Sequence, residues 1–371
     1  MKKICTVTYF NVGTNYGQTL QAYALQRALN CMKYDTVLLN YFSVMGSYKF
    51  KKLFFLNRYA DAGLKGFVKQ LKFDLFIMKH IRLTKQCFTL GDIRERLDQL
   101  NIDTLVCGSD QIWNPEGMDS VYFLEYGVKK DSRKKIAYAA SMCSKSVMEK
   151  YKSKHSVMKH LIDNVDFVSM REKSGAEIVE KLTGRRVETV LDPTLLVTNK
   201  HWRKIATNPH IKGKYMVCFF YGEVKEYAST INRIAKEAGI RKIISIQTNE
   251  KNYNCKDWEI KKNLGPDEFV GYLSQAEVVC TDSFHGTAFS INLNKNLYAF
   301  ERAEKKSSGN FAVSNGSRIT DLLNTLQLSS RWVTLNSVPD DYEEIDYKDV
   351  NIILNAERKK SIDYLRKALE D

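Results

Sequence analysis

No stretch of about 18 uncharged apolar residues occurs in the chain, so the sequence offers no helix able to span a bilayer. Its start, Met1-Lys2-Lys3-Ile4-Cys5-Thr6-Val7, enters strand-like sequence without a long apolar core or a small-residue cleavage site, and we expect no secretory leader. Eight cysteines form no CxxC pair, and the histidines at 80, 155, 160, 201, 210 and 285 show no zinc-ligand spacing. Cys5, Cys107, Cys218 and Cys280 fall in apolar runs of buried-strand character, where a free thiol behaves as a small hydrophobe. The expectation is a cytoplasmic protein with reduced cysteines, no resident metal and no organic cofactor. Internal repeats, low-complexity tracts, nucleic-acid motifs and both GxGxxG and Walker loops are absent as well.

What remains is a chain of 371 residues, 44% hydrophobic and 27% charged, long enough for two α/β domains. Its net charge of +14 is unevenly spread. Residues 49–85 hold ten Lys and Arg against Asp61 and Asp74, a local +8. Within them Leu64, Phe67, Val68, Leu71, Leu75 and Met78 recur at helical spacing, with Lys65, Lys69, Lys72 and Lys79 between. Two readings stand: a basic amphipathic helix making peripheral membrane contact, or a core-facing helix with a solvated basic back.

Strand-like and helix-like segments alternate throughout. Strands are expected at Ile4–Phe10, Thr36–Leu39, Thr104–Cys107, Ile136–Ala140, Phe167–Met170 and Val187–Leu191. A break without clean period covers Thr198–Lys214, and a second set follows at Tyr215–Tyr221, Lys242–Gln247, Val278–Thr281 and Leu297–Phe300. Such alternation implies parallel sheets with helices on both faces. The fold class is therefore α/β, with two Rossmann-like domains near 1–200 and 210–340 and a C-terminal helix in 345–371 able to cross back.

In parallel α/β sheets ligands bind at the carboxyl ends of the strands, and four loops there are polar or glycine-bearing. The first, Asn11–Gln18, contains Asn15, Tyr16, Gly17 and Gln18; it suits an anion or sugar oxygen at a helix N-terminus, or it is a glycine turn. The second, Gly108-Ser109-Asp110-Gln111-Ile112-Trp113-Asn114, offers polar pairs and an indole for a sugar, or forms a capped turn around a packed Trp. The third places Arg171 after a strand, to grip a carboxylate or phosphate or to pair with Glu172 or Asp192. The fourth, Asp282-Ser283-Phe284-His285-Gly286-Thr287, sets a histidine at a helix start, to pass a proton or to orient the loop.

Together these segments resemble the polysaccharide pyruvyl transferase family. The likeness rests on Asn15-Tyr16-Gly17 with Leu20–Leu25, on Gly108–Asn114, on Arg171–Ser174 with Asp192-Pro193-Thr194, on Asp282–Gly286, and on Ser317-Arg318-Ile319. It implies a fold similar to GT-B glycosyltransferases, with an acceptor-side first domain, a donor-side second domain and a site in the cleft. It also implies phosphoenolpyruvate as co-substrate, a sugar acceptor such as a lipid-linked oligosaccharide, and a pyruvate ketal as product. By that resemblance His285 is the acid/base residue and Arg171 a donor-anion ligand, with Asp192, Ser283, Gly286 and Thr287 lining the substrate. Some members carry Arg two positions before the motif His, where this chain has Ser283; Arg302, Lys305 and Lys306 are therefore further candidates for the donor anion. Two other classes remain open: a GT-B glycosyltransferase using a nucleotide sugar, and a non-catalytic partner in polysaccharide biosynthesis.

Overall fold

Strands with apolar residues at nearly every position must be covered on both faces, as in parallel sheets. The computed structural model describes residues 2–11, 13–42, 63–127, 131–142, 145–248, 255, 257–305, 311–314 and 316–371, without the side chains of 63–65, 145, 146, 304, 305 and 311–314. Residues 49–62 of the basic insert and Lys306 lie outside the described residues.

The first sheet holds β1 (Lys3–Val7), β2 (Asp35–Leu38), β3 (Thr104–Gly108), β4 (Lys134–Ala140), β5 (Phe167–Met170) and β6 (Glu188–Thr189), in the order β2-β1-β3-β4-β5-β6. All its pairings are parallel. Its core joins Cys5, Leu105, Cys107, Trp113 and Phe123, which are wholly buried.

The second sheet holds β7 (Tyr215–Phe219), β8 (Lys242–Ile246), β9 (Glu259–Lys261), β10 (Val278–Thr281), β11 (Asn296–Phe300) and β14 (Trp332–Val333), in the order β14-β11-β10-β7-β8-β9. It too is parallel throughout. An antiparallel hairpin, β12 (Arg302–Lys305) with β13 (Phe311–Ser314), follows β11.

The chain divides into two units, Met1–Val197 with Glu357–Asp371, and Thr198–Ala356. The division falls inside the terminal helix Tyr347–Glu370, whose last part belongs to the first unit. There Leu365 and Leu369 are buried, the Ser361 hydroxyl accepts from Leu191 N at 3.0 Å, and Arg358 Nε donates to Leu195 O at 2.6 Å.

The helix Gly63–His80 in the basic insert carries apolar residues on both sides. Phe73, Phe76 and Ile77 are buried; Phe73 meets Tyr16 at 5.2 Å and Phe76 meets Tyr23 at 5.8 Å. The stripe anticipated as apolar is the other side: Phe67, Val68, Leu71, Leu75 and Met78 are 41–79% exposed. Lys69, expected on the basic face, is instead buried, with its ammonium 4.8 Å above the Tyr16 ring.

Candidate functional site

Strand order locates a crevice in each sheet before any side chain is considered. From β1 the chain moves outward to β2, then returns to place β3 on the other side of β1. The connections leave β1 and β3 in opposite directions, which opens a crevice at their carboxyl ends. The same reversal occurs between β7 and β10. The loop Asn11–Gln18 follows β1, Ser109–Asn114 follows β3, Phe220–Gly222 follows β7, and Asp282–His285 follows β10.

In the first unit much of the predicted polar chemistry is internal. Ser109 and Asp110 adopt left-handed backbone angles, φ 32° and 61°, which cost on the order of 1–3 kcal/mol each without glycine. A buried network holds them. The Ser109 hydroxyl donates to Asp192 and accepts from Arg171 Nη1 at 3.3 Å, while Arg171 donates to Asp192 at 3.0 Å and to Ser141 Oγ at 3.0 Å. Asp192 also accepts from the backbone and hydroxyl of Thr194, at 2.9 and 2.7 Å. With side-chain exposures of 1% and 0%, Arg171 and Asp192 form an internal ion pair. Burial opposes the Arg171 charge, but Asp192 and Glu172 outweigh it and hold the guanidinium pKa up. The salt-bridge alternative for Arg171 thus describes its geometry, and Ser109 and Asp192 join it as loop supports.

Two further residues of the same loop are placed differently from the ligand reading. Trp113 is wholly buried, stacked on Phe123 at 5.2 Å, with its indole N–H donating to Tyr122 O at 3.0 Å; neither ring face is open to a sugar. Gly108 is needed for packing: a Cβ there would lie 2.5 Å from Tyr138 O and 3.2 Å from Leu25.

Of the residues singled out at this edge, Asn15, Gln18, Asp110, Gln111 and Asn114 are half-buried. Asn15 caps its helix by accepting from Gln18 N at 3.2 Å, and Asn114 caps a short turn by accepting from Glu116 N at 3.0 Å. Tyr16 and Gly17 are buried in the helix start. Sequence reading missed Tyr9, which sits just past β1, packs 4.4 Å from Tyr122 and has its hydroxyl pKa pushed up to about 12 by burial and by Asp110 and Asp119. Its place two residues beyond a strand-end valine was the available signal.

The second crevice has a different character. The Asp282 carboxylate accepts from Tyr221 N at 2.8 Å and Gly222 N at 2.7 Å, which joins the loops after β7 and β10. It also accepts from Arg302 Nε at 3.3 Å, and Arg302 Nη2 donates to Asp282 O at 3.2 Å. Burial raises the Asp282 pKa, against the pull of Arg302 and the two N–H groups. The Arg302 guanidinium lies 5.2 Å above the Tyr221 ring, and its side chain stays 28% exposed. It is oriented yet reachable.

His285 occupies the first turn of the helix Phe284–Asn292 and is 9% exposed, with Phe284 edge-on at 5.4 Å. Ser283 caps that helix by accepting from Gly286 N at 3.3 Å, and the Thr287 hydroxyl donates to Ser283 O at 3.0 Å. Gly286 does not leave room for a ligand, as its hydrogen faces Thr281 and a Cβ would collide with that side chain. Ser283, Gly286 and Thr287 therefore shape the helix start that carries His285. The backbone of Lys305 pairs with Phe311, and its side chain lies outside the described residues.

A family model described as "Polysaccharide pyruvyl transferase" matches residues 15–304. No curated protein matches the sequence. Among solved structures, UDP-GlcNAc 2-epimerase from Neisseria meningitidis, bound to UDP-GlcNAc, aligns over 99% of this chain and 100% of its own, with 9% identity and a TM-score of 0.51. The Methanocaldococcus jannaschii UDP-GlcNAc 2-epimerase, in complex with UDP-GlcNAc and UDP, aligns over 100% and 99%, with 13% identity and a TM-score of 0.51. At such identities the likeness is one of fold, and the fold is the two-domain, GT-B-like α/β architecture.

Proposed function

We propose that this chain, which belongs to the polysaccharide pyruvyl transferase family, moves the enolpyruvyl unit of phosphoenolpyruvate onto sugar hydroxyls of a polysaccharide or lipid-linked oligosaccharide precursor. The observation that carries the reading is Arg302. A guanidinium held by a buried Asp282, stacked on Tyr221 and still exposed, is suited to a carboxylate or phosphate, and it stands at the loop that leads into His285.

The chemistry asks for a proton donor and a cation. His285 delivers a proton to the methylene carbon, which becomes a methyl group and leaves C2 electrophilic. One sugar hydroxyl adds to C2 and loses its proton. A second hydroxyl then replaces phosphate at the same carbon, its proton leaving with the phosphate, and the ketal closes. Arg302 neutralises the donor anion throughout. Asp110, Gln111 and Gln18 are half-buried groups of the first unit suited to sugar hydroxyls, and the Arg171–Asp192 pair holds Ser109, in the loop of Asp110 and Gln111, in its left-handed conformation. A cytoplasmic setting accompanies this reading, because phosphoenolpyruvate is a cytoplasmic metabolite.

The test is incubation with phosphoenolpyruvate and an oligosaccharide acceptor, reading phosphate release and product mass, with UDP-GlcNAc as the competing donor. His285→Gln keeps polarity and removes the proton shuttle, so turnover should fall by about 10²–10⁴-fold with Tm and phosphoenolpyruvate binding kept. Consumption of UDP-GlcNAc in place of phosphoenolpyruvate would overturn the assignment, as would near-normal turnover of the variant.

A further inference from the structure

Among the described residues the large apolar side chains on one side of the Gly63–His80 helix stand out: Phe67 is 43% exposed, Val68 44%, Leu71 41%, Leu75 54% and Met78 79%. At about 100° per residue these five fall within an arc of roughly 100°, and the buried Lys69, Phe73, Phe76 and Ile77 lie on the opposite side. The helix has thus already spent one apolar face on its own domain.

The charges are arranged about that stripe. Lys72 and Lys79 stand a seven-residue interval apart, which puts them in one row along an edge of the exposed arc. The helix contains a single acidic residue, Asp74, which falls on the far edge and accepts from Gln70 at 2.9 Å. Arg82, whose guanidinium pairs with Asp35, and the exposed Lys85 follow directly. The helix is 18 residues long, and no helix among the described residues is long and apolar enough to cross a membrane. An apolar arc with a basic edge, on a helix too polar to insert across, fits a surface that is apolar beneath and anionic on top.

We propose that the Gly63–His80 helix docks on an anionic lipid surface, with Val68, Leu71, Leu75 and Met78 entering the acyl boundary and Lys72, Lys79 and Lys85 meeting the headgroups. A second copy of the same face is the poorer occupant, since self-pairing would bring two basic rows together. The proposal does not depend on the reaction assigned above.

Vesicle co-sedimentation tests it. The full chain should bind phosphatidylcholine–phosphatidylglycerol vesicles at low salt, bind pure phosphatidylcholine weakly, and dissociate as salt rises. Lys72/Lys79/Lys85→Glu should abolish binding, because each basic charge near such a surface is worth roughly fivefold in affinity. Leu75→Ser with Met78→Ser should weaken it at least tenfold with Tm unchanged, since both side chains are exposed. Equal binding to neutral vesicles, no binding at low salt, or indifference to both sets of substitutions would overturn it. So would a concentration-dependent dimer in analytical ultracentrifugation that the serine variants dissolve.

Discussion

Each unit carries an arginine–aspartate pair at its strand ends, and the two pairs are built from the same chemistry. Arg171 and Asp192 are 1% and 0% exposed, while Arg302 and Asp282 are 28% and 1% exposed. In the first pair the arginine spends its donors on Asp192, Ser109 and Ser141 and serves to hold a strained loop. In the second the carboxylate is satisfied by backbone N–H groups, and the arginine is oriented without being consumed. Both aspartates also accept from backbone N–H groups, so what separates the pairs is the arginine itself: Arg171 is enclosed by its acceptors, whereas Arg302 keeps part of its surface open.

A third cation extends the comparison. Lys69 is 9% exposed and rests on an aromatic ring; among the described residues no carboxylate pairs with it. Burial alone lowers its pKa to about 8.

The largest effect is expected at the internal pair. Arg171→Met would leave Asp192 buried with its countercharge gone, a loss of about 3–5 kcal/mol of stability. Urea denaturation should show it, with phosphoenolpyruvate affinity little changed in whatever fraction folds. A stable variant with a greatly raised KM for phosphoenolpyruvate would erase the distinction between the two pairs.

Lys69 should come next. Its folded pKa is below the ordinary 10.5, so between about pH 8 and 10.5 the unfolded chain holds a proton that the folded chain lacks. Stability relative to Lys69→Met should therefore rise with pH across that window, by roughly 3 kcal/mol or slightly more in total. Parallel stability curves for the two proteins would mean the ammonium is better solvated than its burial implies.

The smallest effect on the fold, and the most specific one on binding, belongs to Arg302. Arg302→Lys keeps the charge but loses the planar fork and the stacking on Tyr221, and should raise the KM for phosphoenolpyruvate by about tenfold. Stability should move by less than about 1 kcal/mol, as for other partly exposed pairs. An unaltered KM combined with a clear drop in Tm would make Arg302 a brace like Arg171.

Most of the architecture was legible in the chain because strands buried on both faces must be apolar. Thr104–Gly108, Phe167–Met170 and Val278–Thr281 were found nearly to the residue. What escaped were short elements without such runs: β9, the hairpin β12–β13, β14, and the helix Asn199–Ile205 inside a stretch read as a break. The loops singled out in the sequence do stand at the carboxyl ends of strands, since polar and glycine residues after apolar runs mark strand ends. The sequence did not separate the buried side chains of those loops from the accessible ones. Trp113 and Gln111 stand two residues apart in one motif, yet the indole is wholly buried and the amide is half-buried.

By itself the sequence determined the α/β alternation, the family and the membership of each strand-end loop, because periodicity and local motif are properties of neighbouring residues. Only the tertiary structure decided that Asp192 is the partner of Arg171, that Asp282 receives the N–H groups of Tyr221 and Gly222, and that one apolar stripe of the Gly63–His80 helix faces outward. Those outcomes depend on contacts between segments far apart in the chain, where burial and available partners set the role of a charge, and no local pattern records them.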